Sequence, residues 1–203
     1  MRRALISVSD KRRLDDLVST LNKYGFEIIS SGGTARRIRK LGYEVKEVSQ
    51  VTGFPEMPGG LVKTLHPRIH GGILGDPSDE EQARYMEEQG IEPIDMVVVN
   101  PYPFEEVMSR RDLTLEEAVE KIDIGGVALM RSGAKGALQN KRVVVVTDPS
   151  QYETIMRELE ENEGSISPET RVRLAVEAFR LTLRYEAMIG RYLQRELLGG
   201  EDV

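Results

Sequence analysis

The chain has no cysteine, no tryptophan and only two histidines, and aromatic residues make up 5% of it. Without Cys there is no disulfide framework, no thiol nucleophile and no thiolate metal ligand. No apolar run approaches the roughly 18 residues needed to span a bilayer, so no membrane partner is expected. The opening Met1-Arg2-Arg3-Ala4-Leu5-Ile6-Ser7 is too short an apolar stretch for a secretion signal, which predicts a cytoplasmic protein. A cationic excess is missing as well: the net charge is −6, which argues against a nucleic-acid partner, because binding the phosphate backbone needs clustered cations. Small anions remain open as ligands. The cations are 20 Arg and 8 Lys, so a Lys beside glycines or hydroxyls stands out as a proton-exchanging candidate.

What is present is an alternation of short apolar runs and amphipathic stretches. That pattern predicts an α/β fold, a parallel sheet flanked by helices in three layers. Strands are expected at Ala4–Val8, Phe26–Ile29, Val45–Val48, Met96–Val99 and Val143–Val146. Asp10 is expected to cap a helix through Tyr24 that buries Leu14, Leu17, Val18 and Leu21 and stops at Gly25. Further helices are predicted after Ser31 to about Gly42, at Ser78–Gln89, at Pro149–Glu161 and from Pro168 to about Leu198, the last with Val172, Ala175, Val176, Phe179 and Leu183 at core spacing. Residues 49–71 read as a long functional loop. At 203 residues a single domain over 1–203 is expected, with the 168–198 helix packed on it.

Four segments carry chemistry, each where such a sheet puts its loops, beyond the carboxyl ends of strands. Ser9, Asp10 and Lys11 leave the first strand and enter a helix, whose first N–H groups favour an anion; an ordinary helix cap explains them too. Ser31, Gly32, Gly33 and Thr34 allow backbone N–H groups to curl round a phosphate. This is neither a Walker loop nor a dinucleotide fingerprint, so a monophosphate fits better than a di- or triphosphate, and a tight turn stays open. Gly59-Gly60-Leu61-Val62-Lys63-Thr64-Leu65-His66-Pro67 places a Lys among glycines and a hydroxyl, close enough to cover a pocket. His66 and His70 have a metal-like spacing, but Pro67 between them and the lack of Cys give no metal site. Finally, Asn100-Pro101-Tyr102-Pro103-Phe104 follows the fourth strand, and Asp123-Ile124-Gly125-Gly126 has Lys135 twelve positions after Asp123, so that Asp123 could accept protons or hydrogen bonds and Lys135 could donate them. A rigid turn and a helix entry are the plainer readings of these last two.

Taken together, SVSDK, SSGGTA, TGFPEM, VKTLHP, NPYPF, IDIGGVALMR and AK, in this order over residues 7–135, resemble the inosine monophosphate cyclohydrolase domain of bifunctional purine-biosynthesis proteins. Arg173–Phe179 and Tyr185 continue the likeness. The resemblance implies a methylglyoxal synthase-like fold. It also implies dehydrative closure of formamido-imidazole-carboxamide ribonucleotide to inosine monophosphate. By resemblance, Lys135, Lys63, Tyr102 and Asp123 are catalytic. Ser9, Asp10, Lys11, Ser31, Gly32, Gly33, Thr34, Val62, Thr64, Val99, Asn100 and Ile124 bind substrate or product. No cofactor and no metal are implied. The expected partner is a small purine nucleotide, with a homodimer and a separate formyltransferase supplying substrate. The chain departs from the pattern at Leu61, where the family has Arg and Arg68 would have to compensate. A donor from elsewhere or a weaker affinity is the alternative to Arg68. The chain departs again at Pro101 in place of Leu, and at Ser132-Gly133 and Gly136-Ala137 around Lys135. Two other readings remain: a regulatory module of the same fold that binds a phosphorylated effector, and a methylglyoxal synthase-like lyase. The first would not need Lys63, Tyr102, Asp123 and Lys135 together, and the second lacks VKTLHP and NPYP.

Overall fold

The computed structural model describes residues 1–101 and 113–199. Five parallel strands form one sheet: β1 (Arg2–Val8), β2 (Phe26–Ser30), β3 (Lys46–Glu47), β4 (Met96–Asn100) and β5 (Val144–Val146), in the order β3-β2-β1-β4-β5. Among the described residues the helices are α1 (Leu14–Lys23), α2 (Gly32–Lys40), α3 (Val48–Thr52), α4 (Pro67–Leu74), α5 (Glu80–Glu88), α6 (Leu115–Glu120), α7 (Gly125–Gln139), α8 (Tyr152–Glu161) and α9 (Pro168–Leu198). β1 lies at the centre, so both its faces are covered, and Ala4, Leu5, Ile6 and Val8 are all apolar and buried. Because side chains alternate along a strand, Ala4, Ile6 and Val8 join Leu17, Leu21, Tyr152 and Ile155 in one core layer. Leu5 joins Val97, Val99, Leu129, Met130 and Tyr185 in the other. No helix among the described residues is long and apolar enough to cross a membrane.

Several sequence expectations change. Asp10 does not cap α1, which starts four residues later at Leu14; its Oδ1 instead accepts the Arg12 backbone N–H at 2.9 Å, closing a local turn. The third strand shrinks to Lys46–Glu47, since Glu47 and Gln50 form a capping box that starts α3 at Val48. Residues 49–71 are not a plain loop: they hold most of α3, a 3-10 turn at Pro58–Gly60 and the start of α4. Pro67 sits at the first turn of α4, where a missing N–H costs nothing. In α9 the sequence face is partly rotated: Ala175 is buried as expected, but Val172, Val176 and Leu183 are exposed, and Leu174, Ala178, Tyr185, Ile189 and Tyr192 are buried with it instead. Periodicity alone could not choose between these two stripes, because each repeats at helical spacing.

The helix α7 was legible only as an entry at Asp123-Ile124-Gly125-Gly126, and it proves central. It packs between the sheet and α9. A methyl group on Gly133 would lie 3.0 Å from Val145 Cγ2, and one on Gly136 would lie 2.8 Å from the Ile73 carbonyl oxygen. Glycine at these two places is what lets α7 approach β5 and α4 so closely.

Candidate functional site

The order β3-β2-β1-β4-β5 makes the chain leave β1 on one side and β4 on the other. The carboxyl ends of β1 and β4 therefore flank a topological switch point, where ligands of open α/β sheets bind. Asn100 joins the two ends. Its Oδ1 accepts the backbone N–H groups of Ser9 at 2.8 Å and Asp10 at 3.0 Å, and Ser9 Oγ lies 2.8 Å from both Asn100 Oδ1 and the Pro101 carbonyl. Val99 is fully buried, so only its backbone can face this edge. The hydrogen bond from Arg12 holds the Asp10 carboxyl below its ordinary range. Lys11 Nζ turns back to the carbonyls of Val8 and Ser9, at 3.3 Å from each.

The neighbouring loop forms the start of α2. Ser31 is the N-cap residue yet makes no side-chain cap bond, which leaves its hydroxyl and the first N–H groups of the helix open to an anion. Gly32 has φ +56°, a left-handed conformation natural to glycine. Thr34 is differently engaged. Its buried hydroxyl accepts the Val8 N–H at 3.3 Å and donates to the Val8 carbonyl at 3.0 Å, fastening α2 to the end of β1.

Lys63 and Thr64 bridge this cradle to a second helix start. Lys63 Nζ lies 3.0 Å from where a Cβ on Gly32 would stand, and Lys63 is ion-paired with Glu56. The next residue, buried Thr64, places Oγ1 3.2 Å from where a Cβ on Gly125 would stand, at the first turn of α7. Just before that turn, Asp123 Oδ1 accepts the Gly126 N–H at 2.7 Å, while the Ile124 side chain is exposed. Val62 takes a left-handed φ of 51°. Beside Lys63 opens a cleft of about 240 Å³ lined by Ser31, Thr52, Phe54, Leu61 and His66, among others. Leu61 is exposed there. Arg68 does not replace the missing cation: its guanidinium donates to the Thr52 carbonyl at 3.4 Å and lies against Gly90.

Lys135 stands apart. Ten residues beyond Gly125, it lies about 15 Å further along α7 at 1.5 Å per residue. It is exposed and lines a different hollow with Leu74, Arg131, Ser132, Leu138 and Phe179. Tyr102 lies outside the described residues. The two histidines do not share a site: the His66 ring accepts the Arg68 N–H at 3.1 Å as the cap of α4, and His70 Nδ1 lies 2.7 Å from Ser132 Oγ. Two residues at the site carry no catalytic or binding role in the sequence reading, although both fall within the family resemblance. Glu56 sits in a segment without periodicity, and Tyr185, which meets Asp123, is remote in sequence; nothing local in the sequence signals either contact.

Comparison with known proteins agrees with this fold. The model of the MGS-like domain matches residues 13–128, and that of the AICARFT/IMPCHase bienzyme matches residues 136–202. The chain is 47% identical over 197 residues to the bifunctional purine biosynthesis protein PurH of Leptospira biflexa serovar Patoc, which covers 97% of this chain and 38% of that protein. It is 49% identical over all 203 residues to PurH of Xanthomonas campestris pv. campestris strain 8004, again 38% of the relative. The chain thus spans about 38% of the length of these relatives. A solved structure, that of ForH, superposes with a TM-score of 0.84 at 34% identity, covering 94% of this chain and 95% of that one. The chain belongs to the MGS-like domain family and corresponds to the inosine monophosphate cyclohydrolase portion of PurH proteins.

Proposed function

We propose that this chain is an enzyme of purine biosynthesis, an inosine monophosphate cyclohydrolase working as one unit of this fold. The observation that carries the reading is that Lys63 and Thr64, adjacent in sequence, touch the starts of two different helices. One start, at Ser31-Gly32-Gly33, suits the substrate's phosphate, with the Lys63 ammonium over it. The other, at Ile124-Gly125, directs N–H groups towards a charge that appears only during reaction.

In the reaction, the carboxamide nitrogen of the formamido ribonucleotide attacks the adjacent formyl carbon, and the carbonyl oxygen gathers negative charge. A C–N bond forms. The formyl oxygen then leaves as water, with one proton from the carboxamide nitrogen and one from the formamido nitrogen. Both reacting groups are on one ring, so the enzyme's task is to hold them in attacking geometry and stabilise the oxyanion. The first N–H groups of α7 are suited to the oxyanion. Asp123, with one carboxylate oxygen on Gly126 and no hydrogen-bond partner for the other among the described residues, is suited to the amide proton, and Lys63, Tyr102 and Lys135 complete the proton-handling set. Ser9, Asp10, Lys11, Val62, Val99 and Asn100 border the nucleotide.

The position of Lys135 supports a dimer in which this lysine enters the site of a second copy, since it is exposed and lines a hollow separate from its own chain's cradle. Leu74, Leu138 and Phe179, which line the same hollow, give that face an apolar border. A separate formyltransferase would supply the substrate.

The test is to mix the purified protein with the formamido ribonucleotide and follow purine absorbance. Turnover above the spontaneous rate is expected; nucleotide binding without turnover would instead favour the effector-binding module. Mixing Lys63→Ala with Lys135→Ala chains should restore about a quarter of wild-type activity, because half of the random dimers then hold one intact site. No recovery would place Lys135 outside a shared site.

A further inference from the structure

We propose that Tyr185 is a positioning residue for this ring closure, its phenol oxygen holding the turn that aims Asp123 and the start of α7. The proposal rests on the reading above and adds a residue from α9, far from the cradle in sequence. The Asp123 backbone N–H donates to Tyr185 Oη at 2.8 Å, and Oη lies 3.5 Å from the Lys121 carbonyl oxygen. One hydroxyl thus accepts from one side of the turn and can donate to the other.

Tyr185 is 3% exposed, and its ring packs in the core layer with Leu129 and Met130 of α7. Burial raises its pKa, so the phenol stays protonated and keeps its donor. The consequence runs through Asp123. With its N–H fixed, the Asp123 side chain reaches forward to cap the Gly126 N–H, and a Cβ on Gly126 would collide with that carboxylate. The N–H groups of Ile124 and Gly125 lie between these two anchored points, so their direction follows the hydroxyl. Removing it leaves the Asp123 N–H without its acceptor, and the turn must rotate to find another.

Tyr185→Phe removes the oxygen alone, and Tyr152→Phe is its control. Tyr152 is equally buried, in the opposite core layer, with a hydroxyl that has no hydrogen-bond partner among the described residues. For Tyr185→Phe, kcat should fall roughly tenfold with KM within about twofold, since transition-state aim is lost while phosphate binding is kept. Amide hydrogen exchange at Asp123 and Gly126 should quicken, and that at Leu5 and Val97 should not. Tyr152→Phe should change none of these. Unchanged kcat, or a loss that merely follows the folded fraction with Asp123 exchange unaltered, overturns the proposal. The exchange measurement needs no turnover. If the wild-type protein closes no ring, the proposed reaction fails separately, and unaltered exchange at Asp123 in the variant still overturns the positioning role.

Discussion

The two ends of the sheet are both polar, yet they use their polar groups in opposite ways. At the amino ends of the strands, Arg3 pairs with Glu27 at 2.7 Å and with Glu92, while its backbone N–H donates to Asp95 at 2.8 Å. Arg142 meets Asp95 at 3.0 Å and the carbonyls of Ile94 and Gly72 at 2.8 and 2.9 Å. Most charges there are answered within the chain. At the carboxyl ends, two helices begin with N–H groups facing outwards, Ser31 makes no cap bond, and glycines stand where side chains would close the space. The difference teaches that a polar edge is a binding site only where its donors stay open; where they are mutually satisfied it is a fastening.

Substitutions can break this contrast. The largest effect is expected at the open edge: Lys63→Ala should lower kcat by about 10²–10³, with the unfolding midpoint within a few degrees of wild type by calorimetry. A midpoint drop with kcat retained would invert the assignment. At the closed edge, Asp95→Ala takes the ion-pair partner from the largely buried Arg142 and the acceptor from the Arg3 backbone N–H and should cost about 3 kcal/mol, lowering Tm by roughly 10 °C, with kcat kept at a temperature where the chain remains folded. Thr34→Val lies between the two. Its hydroxyl serves β1, so stability should fall by about 2 kcal/mol while discrimination between inosine and its monophosphate persists; lost discrimination in a calorimetric titration would return the hydroxyl to the phosphate.

The smallest effect concerns pH. Burial lowers the pKa of half-buried His70 beneath its usual value of 6.5, so the folded chain favours the neutral ring. The unfolded chain then binds the extra proton first. This stabilisation is fully present above about pH 6.5 and is lost as pH falls from there towards the lower folded value. His70→Gln should flatten the change in Tm between pH 7 and 5 by one or two degrees. An unchanged slope would remove His70 from the account.

Much of this was legible in the sequence. The strands β1, β2 and β4 declare themselves as apolar runs, and Ser9, Ser31, Gly32 and Asn100 fall at the strand ends that the sheet order then brings together. Lys63 and Asp123 stood out beside their glycines, and the resemblance implied catalytic roles for them. What could not be read is what depends on distant pairing. The hydroxyl of Thr34 looked free until β1 was placed beside it. The stripe of α9 that faces the core depends on α7, whose glycines set the distance. Lys135 shares a helix with the site, and only the length of that helix shows how far it lies from the cradle.

The most direct measurement is an amide-resolved titration of the isotope-labelled protein with inosine monophosphate, with inosine in parallel. Gly32 and Gly33 should shift only with the phosphorylated ligand, and Ile124 and Gly125 with both, while Arg3, Asp95 and Arg142 stay still. Shifts confined to the amino-end network, or equal responses of Gly32 to both ligands, would contradict the account.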